Sequence, residues 1–159
     1  MKKLIAIFAV ITLFACNKTN DPADYFNLYA GCEFSVFNTQ NEDLLDTTSA
    51  NHLKASEIKL FYQIDGENNL VFNADMQFPK GFHIFKHENE YRIGIWLNHT
   101  ETTDKPVTYI QWNENDTDTI EVIYNRTPNS IVQNKIWLNG VLVWELGENT
   151  IDPYFALIK

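Results

Sequence analysis

Apolar and polar residues alternate along most of this chain in short runs, each closed by a turn signal, and no 3.6-residue period persists over ten or more residues. A period of two sends successive side chains to opposite faces of a strand, so the pattern restricts the chain to β-sheet. Residues 57–65 show it best: Ile58, Leu60, Tyr62 and Ile64 face one way, Lys59 and Gln63 the other. Asp65-Gly66 then predicts a turn, with residues 70–72 returning as the hairpin partner. Residues 32–37, 82–86, 91–97, 107–112, 119–124, 131–138 and 141–146 read as further strands. The last two flank Asn139-Gly140, a pair suited to the positive φ angles of a type I′ turn. Residues 49–54 allow a single helical turn. Eight or nine strands without intervening helices predict an all-β fold, an antiparallel β-sandwich, with a closed barrel as the alternative.

The last hairpin departs from one-sided burial. Ile136, Leu138, Val141 and Val143 fall on one face, and Trp137, Leu142 and Trp144 on the other. Apolar character on both faces predicts that the outer one is covered, and the carboxyl-terminal run Tyr154-Phe155-Ala156-Leu157-Ile158 is the expected cover.

The amino terminus obeys a different logic. Lys2 and Lys3 precede an apolar run at 4–14, eleven residues broken only by Thr12. A helix needs about twenty residues to cross a hydrocarbon core of roughly 30 Å, so this run fits a signal-peptide core instead. Leu13-Phe14-Ala15-Cys16 resembles the bacterial lipobox, which implies a diacylglycerol thioether on Cys16 and cleavage just before it. An ordinary secretory signal, or a disulfide between Cys16 and Cys32, are the alternatives. The expected organisation is a signal peptide at 1–15, a lipidated cysteine and polar tether at 16–24, and a β-domain at 25–159. With Cys16 lipidated, Cys32 becomes a lone thiol in an apolar stripe with no basic neighbour to activate it.

Cleavage removes two of the twelve basic residues and no acids, leaving 144 residues with a formal charge of −11. Phosphate recognition needs clustered Lys and Arg, so nucleic acid is not expected as a partner, nor electrostatic attachment to anionic lipid. The 4 Trp, 7 Tyr and 11 Phe supply a packed core rather than a disordered tail.

No catalytic constellation emerges: Gly-x-Ser-x-Gly, His-Glu-x-x-His and phosphate-cradling glycine loops do not occur. His83 and His87 have metal-ligand spacing for a helix but straddle a strand end, and His52 and His99 stand alone, so all four read as surface histidines. Residues 113–118 are rich in oxygen ligands yet lack the glycine and closing glutamate of a calcium loop, and read as a plain loop. Neither a cofactor nor a metal is expected, and no enzyme activity. Trp96 and Trp112 lie opposite the regular apolar stripes of their strands. Exposed there, they could stack on sugar rings; under a second sheet, they would be core.

Glu42-Asp43-Leu44-Leu45-Asp46, Ile58-Lys59-Leu60-Phe61-Tyr62, Asp65-Gly66-Glu67 and Thr117-Asp118-Thr119-Ile120 together resemble small uncharacterised envelope lipoproteins of the Bacteroidetes. The resemblance implies an immunoglobulin-like or transthyretin-like β-sandwich on an outer-membrane lipoprotein, and carries no site. Asp46-Thr47-Thr48 and Asp118-Thr119-Ile120 also resemble O-glycosylation acceptors of such bacteria. No acidic cluster comes after Cys16, which favours the periplasmic face over the cell surface. The expected function is a non-catalytic protein-interaction or assembly module, with glycan binding as the alternative.

Overall fold

The computed structural model describes residues 25–100, 102–148 and 152–159, which form eleven strands and no helix. The signal peptide, Cys16 and the tether lie outside the described residues.

The first strands are β1 (Asn27–Tyr29) and β2 (Gly31–Phe37). Residues 49–54, which allow a helical turn, hold a bend and turn at 49–51 and no helix. The hairpin of β3 (Lys59–Ile64) and β4 (Glu67–Leu70) turns at Asp65-Gly66, with φ of 52° and 82°. Ile64 pairs with Glu67, so the return begins directly after the turn, three residues earlier than the apolar run at 70–72 suggests. Strands β5 (Phe82–His87) and β6 (Glu90–Trp96) turn at Glu88-Asn89. Strands β7 (Val107–Asn113) and β8 (Asp116–Thr127) turn at Glu114-Asn115. The expected loop at 113–118 is therefore only a two-residue turn, and Asp116 and Asp118 sit on a strand. Strands β9 (Ser130–Leu138) and β10 (Val141–Glu145) turn at Asn139-Gly140, with φ of 50° and 80°. The last strand is β11 (Tyr154–Ile158).

These make two sheets. A seven-stranded sheet runs β1-β9-β8-β7-β3-β4, with β10 also paired to β9; a four-stranded sheet runs β11-β2-β6-β5. Both are mixed, which corrects the antiparallel expectation. Strand β1 runs parallel to β9, and β11 parallel to β2. The expected carboxyl-terminal cover is thus a strand of the other sheet. Leu142 remains exposed on the last hairpin, and Lys105 Nζ lies 4.3 Å from the Trp137 ring centroid.

One buried cluster draws on both sheets: Cys32, Phe34, Ile93 and Ile95 from the smaller, Leu60, Ile110, Trp112 and Ile136 from the larger. Phe34 meets Trp112 edge-on, with centroids 6.1 Å apart at 88°, and stacks on Phe155 at 4.8 Å. Trp144 joins this core because of a bulge. Leu142 pairs with Trp137, but Trp144 pairs with Ile136, so Val143 is an extra residue. One inserted residue reverses the facing of the strand beyond it, which places Trp144 inside rather than beside Leu142.

Candidate functional site

A cleft of about 670 Å³ opens where the start of β2 and the end of β6 meet β1 and β9. Its chemistry begins with two glycines. Gly31 pairs with Trp96, and Gly94 pairs with both Glu33 and His83, so neighbouring strands present bare backbone there. A Cβ on Gly94 would lie 2.5 Å from His83 Cε1; the imidazole occupies the space a side chain would take. His83 is held in turn by stacking on Phe78 (4.3 Å) and Phe85 (5.1 Å). An isolated strand glycine marks a close approach.

Trp96 stands beside this floor, 39% exposed, and shares the cleft with exposed Leu28, Tyr29, Met76 and Leu146. Its backbone oxygen accepts a hydrogen bond from Tyr62 Oη at 3.0 Å, and burial pushes that phenol up to about 12. The donor therefore keeps its proton at neutral pH.

Two carboxylates lie along the same cleft. Glu33 sits on β2 with its side chain half exposed and Arg92 Nη1 at 3.7 Å, while Arg92 Nε makes its short bond, 2.7 Å, to Glu90. Glu33 N donates to Pro153 O at 2.9 Å, which brings Asp152 alongside. Among the described residues, no lysine or arginine lines the cleft. Gln133 adds an acceptor: its Nε2 donates to Gly31 O at 3.0 Å, yet its Oε1 has no hydrogen-bond partner although the residue is only 5% exposed.

Trp112 belongs elsewhere. It is fully buried, so the expectation of a stacking platform fails at this ring, which has no face open to a sugar. Its Nε1 donates to Asp118 Oδ2 at 2.7 Å, deep in a network that also binds Asn139 Nδ2 (2.7 Å) and Lys159 Nζ (2.9 Å). Lys159 reaches Asp116 as well, at 2.7 and 2.8 Å. Burial raises the Asp118 carboxyl, but the hydrogen bonds from Asn139, Lys159 and Trp112 outweigh it and hold it below the usual range. The oxygen-rich segment thus anchors a carboxyl-terminal lysine.

Cys32 is a free, buried thiol at the cleft wall, pushed up first by burial and then by Glu33. His52 Nδ1 and His99 Nδ1 meet the carbonyls of Ser49 (2.9 Å) and Leu97 (3.0 Å). His87 Nδ1 is buried without a partner, so neither it nor the stacked His83 is a plain surface histidine. No group of three or more His, Cys, Asp or Glu converges as metal ligands among the described residues. Of the two acceptor-like segments, Asp46-Thr47-Thr48 forms an exposed turn, whereas Asp118-Thr119-Ile120 lies within β8 between buried side chains.

The class these features define is a two-sheet all-β domain with an open, largely apolar cleft. Comparison with family models, characterised proteins and solved structures gives no match.

Proposed function

We propose that this chain is a lipid-anchored, non-catalytic envelope protein whose β-sandwich, immunoglobulin-like or transthyretin-like, serves as a protein-interaction module. The observation that carries this reading is the rim of the cleft, which gathers exposed apolar side chains from β1, β6 and the segments around Met76 and Leu146. Large apolar groups gathered at one concave place gain free energy when a partner removes them from water, at about 25 cal/mol per Å². The sandwich reading rests on the shared core of the two sheets. Attachment through Cys16 would hold the domain at the outer membrane, on its periplasmic face.

Affinity capture from detergent-solubilised envelope tests the reading. The expected result is a stoichiometric partner recovered with the wild-type chain; repeated recovery of none would sink it. Metabolic labelling with palmitate should mark the wild-type chain and not Cys16→Ala, and an unlabelled wild-type chain would remove the lipid anchor from the account. Glycan binding is the second reading, favoured by the exposed Trp96 side chain at the cleft. Binding of soluble oligosaccharides that disappears in Trp96→Ala would establish it.

A further inference from the structure

We propose that the cleft beside Trp96 receives a cationic side chain, arginine or lysine, carried on an apolar segment of a partner protein. The proposal rests on the interaction-module reading and specifies what the module recognises.

Three observations converge. The charged side chains along the cleft are the carboxylates Glu33 and Asp152, with no Lys or Arg among its described lining residues. Arg92 offsets Glu33 in part, but its strong bond goes to Glu90, 2.7 Å away, against 3.7 Å to Glu33. Next, Trp96 is 39% exposed at the cleft, on the strand position paired with Gly31, and an indole face attracts a cation placed over it. Finally, Gln133 leaves Oε1 without a partner although the residue is only 5% exposed. An orphaned acceptor of this kind costs on the order of 1–3 kcal/mol; the Oε1 atom is itself sealed from solvent, so a donor in the cleft meets it only when the Gln133 amide turns toward the opening. A guanidinium or ammonium group brings several donors and a positive charge on an aliphatic stem. The stem matches the walls of Leu28, Met76, Val132 and Leu146.

The other occupants fit less well. A sugar carries hydroxyls around its ring, and these aliphatic walls would leave many of them unpaired. A bilayer surface demands a convex apolar face, whereas this one is concave and bears carboxylates.

The test uses the full chain in detergent and a capped hexapeptide with one arginine among leucines, compared with the same peptide carrying glutamine. Titration is monitored by calorimetry in every variant, with the indole N–H resonance of Trp96 as an added site reporter wherever that ring is present. The arginine peptide should bind at least tenfold more tightly, with the preference shrinking as salt rises. Glu33→Gln should reduce that preference several-fold, and Trp96→Ala should abolish the binding. Equal affinity for both peptides, or binding unchanged in Trp96→Ala, overturns the proposal. So does a response at Trp96 to chitooligosaccharides or neutral vesicles but not to the peptide. Should the captured envelope partner survive Trp96→Ala, the interaction reading stands and only the cleft assignment fails.

Discussion

Asp118 shows how much one side chain can hold together. It accepts from the buried Trp112 indole, from Asn139 and from Lys159, so truncation leaves the buried indole N–H without its partner and Lys159 with Asp116 alone. Asp118→Ala should destabilise the domain by about 3 kcal/mol, measured by urea unfolding. Its pH dependence has a definite sign. A carboxyl held below its unfolded value of roughly 3.9 contributes its full stabilisation above that pH and loses it as pH falls through the lower folded value. The stability gap between wild type and Asp118→Asn should therefore be constant near neutrality and shrink below about pH 4. A gap that widened with acid would contradict the network. The alternating apolar pattern of β7 and β8 was legible in the sequence; the burial of an aspartate among it was not, because its three partners lie 6, 21 and 41 residues away.

Turns and terminal strands behave differently as elements. At Asn139-Gly140 both residues take positive φ, and Asn139 Oδ1 accepts from Thr119 N at 2.9 Å. Gly140→Ala should cost about 1 kcal/mol through the left-handed backbone alone, and Asn139→Ala more, since it also loses its bonds to Thr119 and Asp118. Chemical denaturation of both variants compares the two costs. The strand β11 has no hairpin to fix it; five paired residues, Lys159 N donating to Phe37 O at 2.8 Å and the Lys159–Asp116 ion pair hold it instead. Lys159→Met should raise amide exchange across β11 while leaving the β3–β4 hairpin unchanged. Uniform acceleration of both would mean that β11 is not a separate unit of stability.

Over the whole molecule, the four tryptophans divide by environment. Trp112 and Trp144 sit in the core, Trp137 is partly covered beneath Lys105, and Trp96 faces the cleft. Iodide quenching should act chiefly on Trp96, so Trp96→Phe should remove most of the quenchable fluorescence. Loss of that fraction in Trp112→Phe instead would invert the assignment of inside and outside. A single core reaching from Cys32 to Phe155 also predicts one cooperative unfolding transition by fluorescence and circular dichroism alike.

Strand positions and hairpin turns were determined by the sequence itself, because alternation and turn chemistry act between residues a few places apart. Asp65-Gly66 and Asn139-Gly140 needed no tertiary information to be recognised. The two strands that pattern reading did not place, β1 and β11, are the two that pair in parallel. Asn27 meets Ser130, and Phe34 meets Phe155, so each pairing closes a loop of more than a hundred residues and leaves no local mark. The bulge at Val143 turned Trp144 inward for the same reason, since only its pairing with Ile136 reveals the extra residue. The cleft likewise exists only where both sheets meet. Nothing in the local pattern marks it: the orphaned Gln133 oxygen, the His83 ring over Gly94 and the exposed Trp96 come together only when the chain is folded.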